Sequence, residues 1–134
     1  MRRTKDRLAS LKLLKKVSAP DPEEIRAQQN KIRASFLKLL EGCAEPSDFD
    51  TVAMHVNVCK IRALEISEAL ADVLTAAQVA NSKVRERYVQ WGKLQVTAAE
   101  REAVADALEA CDAIVEASTP LQMEVAHKRM IQGL

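Results

Sequence analysis

The stretch that decides the fold is "VAMHVNVCKIRALEISEALADVLTAAQVANSKV", residues 52–84, which contains neither glycine nor proline. Its apolar residues recur at alternating steps of four and three, so they return to one face of a helix, as in the a/d pattern of a coiled coil. The spacing predicts one helix of roughly 40 residues that ends before Gly92, with Asn81–Ser82 as the candidate break. We call these positions the seam: Val52, Val56, Cys59, Ala63, Ile66, Leu70, Val73, Ala77, Ala80 and Val84.

The composition favours the same fold class and excludes several others. Apolar residues make up 48% of the 134 residues, yet aromatics only 3%, and there are three glycines and four prolines for turns. No apolar run reaches the ~18–20 residues that span a bilayer. Three widely spaced cysteines, an odd number, indicate free thiols in a reducing compartment rather than a disulfide framework. These features predict a cytoplasmic protein with no membrane segment.

Local signals mark the ends of the other helices. Asp21 before Pro22, with Glu24 as a capping box, begins a helix that Gly42 ends, giving 22–41. Pro46 with Ser47 or Asp48 begins the long helix. Thr97 and Thr119 are the capping residues at the starts of two further helices. The sequence thus predicts an all-α protein: an antiparallel helical bundle or helical hairpin (20–134) with one long central helix, preceded by a basic amphipathic arm (1–19).

A second apolar stripe lies on the first half of the long helix, at Met54, Val58 and Ile61, away from the seam. A helix that is apolar on two sides is packed on two sides. We therefore expect the helix at 22–41, or the helical part of the arm, to cover this second stripe.

The arm is the main asymmetry of charge in the chain. Residues 1–16 carry +6, whereas the whole chain carries only +1. This predicts contact with nucleic acid or with an acidic protein patch, and the alternative is a solvated basic helix. The rest of the chain is acidic and poor in aromatics for stacking bases, which disfavours specific reading of DNA. The basic residues are Arg2, Arg3, Lys5, Arg7, Lys12, Lys15 and Lys16.

The end of the seam is the second candidate for binding. The apolar stripes elsewhere in the sequence are shorter than the seam, so part of it lacks an intramolecular cover, and an uncovered apolar stripe is normally an interface. Tyr and Trp near Arg are the residue types enriched in interface hot spots. The sequence predicts a homodimer or a protein partner here, the alternative being that these side chains close the hairpin end. The predicted interface comprises Val73, Ala77, Ala80, Val84, Arg85, Arg87, Tyr88 and Trp91.

Candidate chemistry is sparse. His55 and Cys59 share a helix face at i, i+4, but a metal site needs three or four ligands. Cys43, Cys111 and His127 each fall on a different predicted element, so packing is the favoured interpretation of the pair. No glycine-rich phosphate loop or nucleophile elbow is present. We therefore predict no catalytic, cofactor or metal residues, and a protein that is not an enzyme.

The opening "RRTKDRLASLKLLKK", residues 2–16, followed by alanine-rich amphipathic helices, resembles small helical proteins carried by bacterial prophages and plasmids. The resemblance implies an accessory or inhibitor protein of a mobile element that acts by binding another protein. With the patterns above, it predicts a small non-enzymatic interaction or regulatory protein. The alternative is a nucleic-acid-binding protein that uses the arm.

Overall fold

The computed structural model describes residues 10, 11, 14 and 16–133, and in that part every regular element is helical. The all-α prediction is therefore confirmed. The described residues between 10 and 17 are helical as well. The helices that follow are α1 (Pro22–Glu41), α2 (Pro46–Ala63), α3 (Glu68–Trp91), α4 (Ala98–Glu116) and α5 (Pro120–Ile131).

The ends of α1, α4 and α5 are set by local sequence, as predicted. Asp21 accepts a hydrogen bond from the Glu23 amide at 3.0 Å, and Gly42 ends α1 with φ 75°. At this start Asp21 caps the helix alone, without the predicted contribution of Glu24. Reciprocal capping boxes begin the other two helices, Thr97 with Glu100 and Thr119 with Gln122.

The start of α2 differs slightly from the prediction. Pro46 is the first helical residue, but the N-cap is Glu45 rather than Ser47 or Asp48. Asp48 instead takes the third helical position, where its carboxylate accepts from the Glu45 amide at 2.9 Å. The same carboxylate accepts from Ser35 Oγ at 3.1 Å, which ties the start of α2 to α1.

The predicted single long helix is wrong, because the chain turns at residues 64–67 and forms two helices, α2 and α3. These two fold back on each other, since Gln78 Nε2 in α3 donates to Asn57 Oδ1 in α2 at 2.9 Å. The candidate break at Asn81–Ser82 is absent, and α3 continues through it. Ile66 of the seam is exposed at the turn, as is the nearby Leu64.

A polar network fixes the turn where the apolar spacing shows no interruption. Glu65 accepts from Arg62 at 2.9 Å and from Arg129 in α5 at 2.7 Å. Arg62 also donates to Ser118 Oγ at 3.0 Å, just after α4. Ser67 then begins α3 by accepting from the Leu70 amide at 3.4 Å. The turn is therefore determined by partners from later in the chain as well as by a local cap.

One apolar core joins the helices. It is centred on α2, α3 and α4, with α1 against α2 and α4, and with α5 against α2. The second stripe of α2 faces α1, one of its two predicted covers, and α5. The cover is partial, since Val58 is buried and Ile61 is half-buried, whereas Met54 is 44% exposed. Across the described residues, no helix is long and apolar enough to cross a membrane.

Candidate functional site

Three side chains of types that can ligate a metal ion lie together between α2 and α4. His55 and Cys59, one turn apart on α2, place Nε2 and Sγ 3.8 Å from each other. Cys111 of α4 brings its sulfur to the same point, so the three donor atoms all lie within 4.8 Å of one another. Both thiols have no exposed surface, while His55 is half-buried. The structure thus supplies the third donor that the sequence could not locate.

The two thiols affect each other's ionisation. A hydrogen bond from the Cys111 thiol lowers the pKa of Cys59, and the nearby His55 lowers it further against the opposing effect of burial. The same contact, together with burial, raises the pKa of Cys111 well above that of an ordinary thiol. The pair therefore favours a state in which one sulfur holds a proton and the other can ionise.

A pocket of about 330 Å³ lies on the outer side of His55. Its walls include both histidines of the chain, His55 and His127, and the two thioethers of Met54 and Met123. Neither thiol lines this pocket. His55 is therefore the side chain that joins the buried sulfur pair to a surface opening.

The predicted basic site is described only at its end. Of its residues, Arg2, Arg3, Lys5, Arg7, Lys12 and Lys15 lie outside the described part of the chain. Lys16 is described, is exposed, and forms an ion pair with Glu124 of α5 at 3.2 Å. An exposed pair of this kind contributes little to stability, but it gives this lysine an acidic contact within its own chain.

The predicted interface separates into a buried half and an exposed half. Ala77, Ala80 and Val84 belong to the core against the other helices, and Val73 is half-buried. The expectation that this part of the seam lacks an intramolecular cover is therefore wrong, because α4 and α2 cover α3. The turn at 64–67 is the reason, since it folds α2 back along α3.

Arg87 also has its partners within the chain. It forms a two-pronged pair with the buried carboxylate of Glu100 and donates to the Gln95 carbonyl at 2.9 Å. The pair lowers the pKa of Glu100 through the hydrogen bonds that Arg87 donates to it, and it raises that of Arg87. Arg87 thus anchors the end of α3 to the start of α4.

The exposed half of the predicted interface lies at the end of α3. Trp91 and Val89 have 68% and 77% of their surface exposed. A groove of about 550 Å³ between α2 and α3, the α2–α3 groove, begins one helical turn away at Tyr88. Its apolar walls come from both helices and from the segment after α3, and they include Phe49, Ala53, Tyr88, Val89 and Leu94.

Opposite charges also line the α2–α3 groove. Asp50 stands on the α2 side and Arg85 on the α3 side, and both are exposed. Among the described residues, neither one has an ion-pair partner. The sequence prediction identified Arg85, Tyr88 and Trp91 but not the α2 wall, because it treated α2 and α3 as one straight helix.

No protein-family model, no curated protein and no solved structure matches the chain.

Proposed function

We propose that this protein is a non-enzymatic interaction or regulatory module that works as a homodimer, with the α2–α3 groove and Trp91 as its contact surface. The observation that carries the proposal is a large exposed aromatic side chain, Trp91, one helical turn after Tyr88 of a partly apolar groove. Tryptophan, tyrosine and arginine are the residue types that most often dominate binding energy at interfaces. The resemblance to proteins of prophages and plasmids adds the expectation of an accessory or inhibitory role.

The choice of a second copy as occupant rests on the charges in the groove. A two-fold interface is self-complementary: if residue i contacts residue j of the other copy, then j contacts i. Arg85 of each copy would then meet Asp50 of the other, which pairs two charges that lack an ion-pair partner among the described residues. The two-fold symmetry of such a dimer would also let each Trp91 cover the groove of the other copy.

The test is the oligomeric state of the full chain, measured by sedimentation over a range of concentrations. We expect a dimer that Trp91→Ala weakens, because truncation leaves the groove uncovered. Arg85→Asp should weaken it through like-charge repulsion with Asp50, and the exchanged pair Asp50→Arg/Arg85→Asp should restore it. Arg101→Asp, on an exposed site of α4, is the matched control and should leave the dimer intact.

Three outcomes would contradict the proposal. One is a wild-type chain that stays monomeric at high concentration. Another is a dimer that Trp91→Ala leaves unchanged. The third is an exchanged pair that is as weak as the Arg85→Asp single variant. Each variant changes an exposed side chain, so circular dichroism should show native helix content throughout.

A further inference from the structure

We propose that His55, Cys59 and Cys111 bind one zinc ion in the core between α2 and α4. The site is distinct from the α2–α3 groove and does not depend on the dimer. It combines imidazole nitrogen with two sulfurs, the donor types that zinc prefers in proteins. The first observation in its favour is that two separate helices bring these donors together within 4.8 Å.

The spacing of the donors fits a tetrahedral ion. With zinc–sulfur and zinc–nitrogen bonds of about 2.3 and 2.0 Å, neighbouring corners of a tetrahedron lie about 3.5 to 3.8 Å apart. The distance from His55 Nε2 to Cys59 Sγ is 3.8 Å. Two corners are therefore nearly in place, and Cys111 Sγ, which lies within 4.8 Å of both other donor atoms, needs to approach them by about 1.3 Å at most.

The helices hold these positions without help from an ion. Cys59 and Cys111 are fully buried among the core residues of α2 and α4, so their backbone positions are fixed by packing. His55 follows from Cys59 by the i, i+4 spacing of one helix face. An ion would consequently bind to a largely preformed set of donors.

The charge balance favours a divalent ion. When zinc binds, each S–H bond is replaced by a Zn–S bond and its proton leaves to solvent, so no oxidant or reductant is needed. Two thiolates and one Zn²⁺ give a cluster with no net charge, which an apolar core tolerates. A monovalent ion such as Cu⁺ on the same donors would leave a buried negative charge.

The pocket beside His55 gives an ion a route from the surface to the cluster. Within the described residues the cluster contains three protein donors, which leaves one tetrahedral position. His55 separates the sulfurs from the pocket of about 330 Å³. Water entering on this side would complete the coordination.

The experiment is a zinc titration of the reduced, metal-free full chain in competition with a chromophoric chelator. We expect one zinc per chain for the wild type. His55→Gln, Cys59→Ala and Cys111→Ala should each weaken binding at least tenfold. Cys43→Ser is the matched control, because this third cysteine is exposed and away from the cluster, and it should bind zinc like the wild type.

A second measurement is needed because Cys59→Ala and Cys111→Ala are expected to destabilise the fold even in the absence of zinc. Zinc should raise the melting temperature of the wild type and of Cys43→Ser, but not that of His55→Gln, whose half-buried site tolerates the change. Cobalt(II) should give the visible bands of a tetrahedral thiolate site. A folded wild type that takes up no zinc would overturn the proposal, as would a His55→Gln variant that binds zinc with unchanged affinity.

Discussion

At the scale of the residue, Glu100 shows how one side chain serves two structural roles. As the third residue of α4 it accepts from the Thr97 amide at 2.9 Å and so completes the capping box. As a buried carboxylate, it also receives the guanidinium of Arg87 from the end of α3. The first role could be read from the sequence, because the capping box is local. The second role could not, since the sequence indicated Arg87 only as an arginine near Tyr88 and Trp91 in a predicted interface.

This pair leads to a prediction about acid stability. Because Arg87 holds the pKa of Glu100 below its usual value, the unfolded chain binds the proton more readily than the folded one. The stability that the carboxylate contributes is present at neutral pH and is lost as the pH falls through the lowered pKa. Glu100→Gln should destabilise the fold by about 2 kcal/mol at pH 7, the range for a charged hydrogen bond.

The measurement is urea unfolding of wild type and variant at neutral and acid pH. The difference between the two proteins should shrink as the pH falls below the ordinary pKa of a glutamate, about 4.3, towards the lowered pKa of Glu100 in the folded protein. Glu102→Gln, an exposed carboxylate on the same helix, is the control and should change stability little at either pH. A difference that persists unchanged in acid would contradict the electrostatic explanation.

At the scale of the element, helix starts were the most predictable feature of this chain. The bounds of α1 and the capping boxes of α4 and α5 follow from residues within one turn of each start. The turn between α2 and α3 was missed because apolar spacing alone cannot separate one long helix from two helices that share a period. The residue that holds the turn from α5 is Arg129, 64 positions after Glu65.

The sequence did not predict the cluster of His55, Cys59 and Cys111, for the same physical reason. Sequence spacing placed His55 and Cys59 on one face, and this is correct. Cys111 is 52 positions beyond Cys59 and comes into contact only because α4 packs against α2. Contacts between elements depend on topology, and the sequence showed amphipathic faces without showing which pairs of faces meet.

A prediction at this scale concerns the start of α5. Thr119 Oγ1 accepts from the Gln122 amide at 3.1 Å, and Gln122 Oε1 accepts from the Thr119 amide at 2.9 Å. Thr119→Ala removes the cap and should destabilise the protein by about 1 kcal/mol. Thr75→Ala is a matched control within α3, where the hydroxyl only bonds back to the Ala71 carbonyl.

The measurement is the free energy of unfolding of both threonine variants and the wild type, obtained by chemical denaturation. Thr75→Ala should be neutral or slightly stabilising, since alanine is the better helix former at an interior position. Equal losses of stability in the two variants would show that the hydroxyl of Thr119 acts by general packing and that capping is not the cause.

At the scale of the whole molecule, the division of the 52–84 stretch reassigns its apolar surface. As one straight helix, the stretch would have left its second half uncovered, and that was the ground for predicting an interface at Ala77, Ala80 and Val84. As a hairpin it buries those residues, whereas Trp91 and the α2–α3 groove stay open to another chain. The expected association thus stays a proposal, with a different contact surface.

The dimer proposal predicts an association that the fluorescence of the single tryptophan would report. Trp91 is the only tryptophan of the chain and is 68% exposed. In a dimer it would be desolvated, so its fluorescence emission should move to shorter wavelength as the protein concentration rises. The melting temperature should rise over the same concentrations, because association stabilises the folded state by mass action. Arg85→Asp should move both changes to higher protein concentration, because it weakens the dimer. An emission that is independent of concentration in the wild type would exclude Trp91 from the contact.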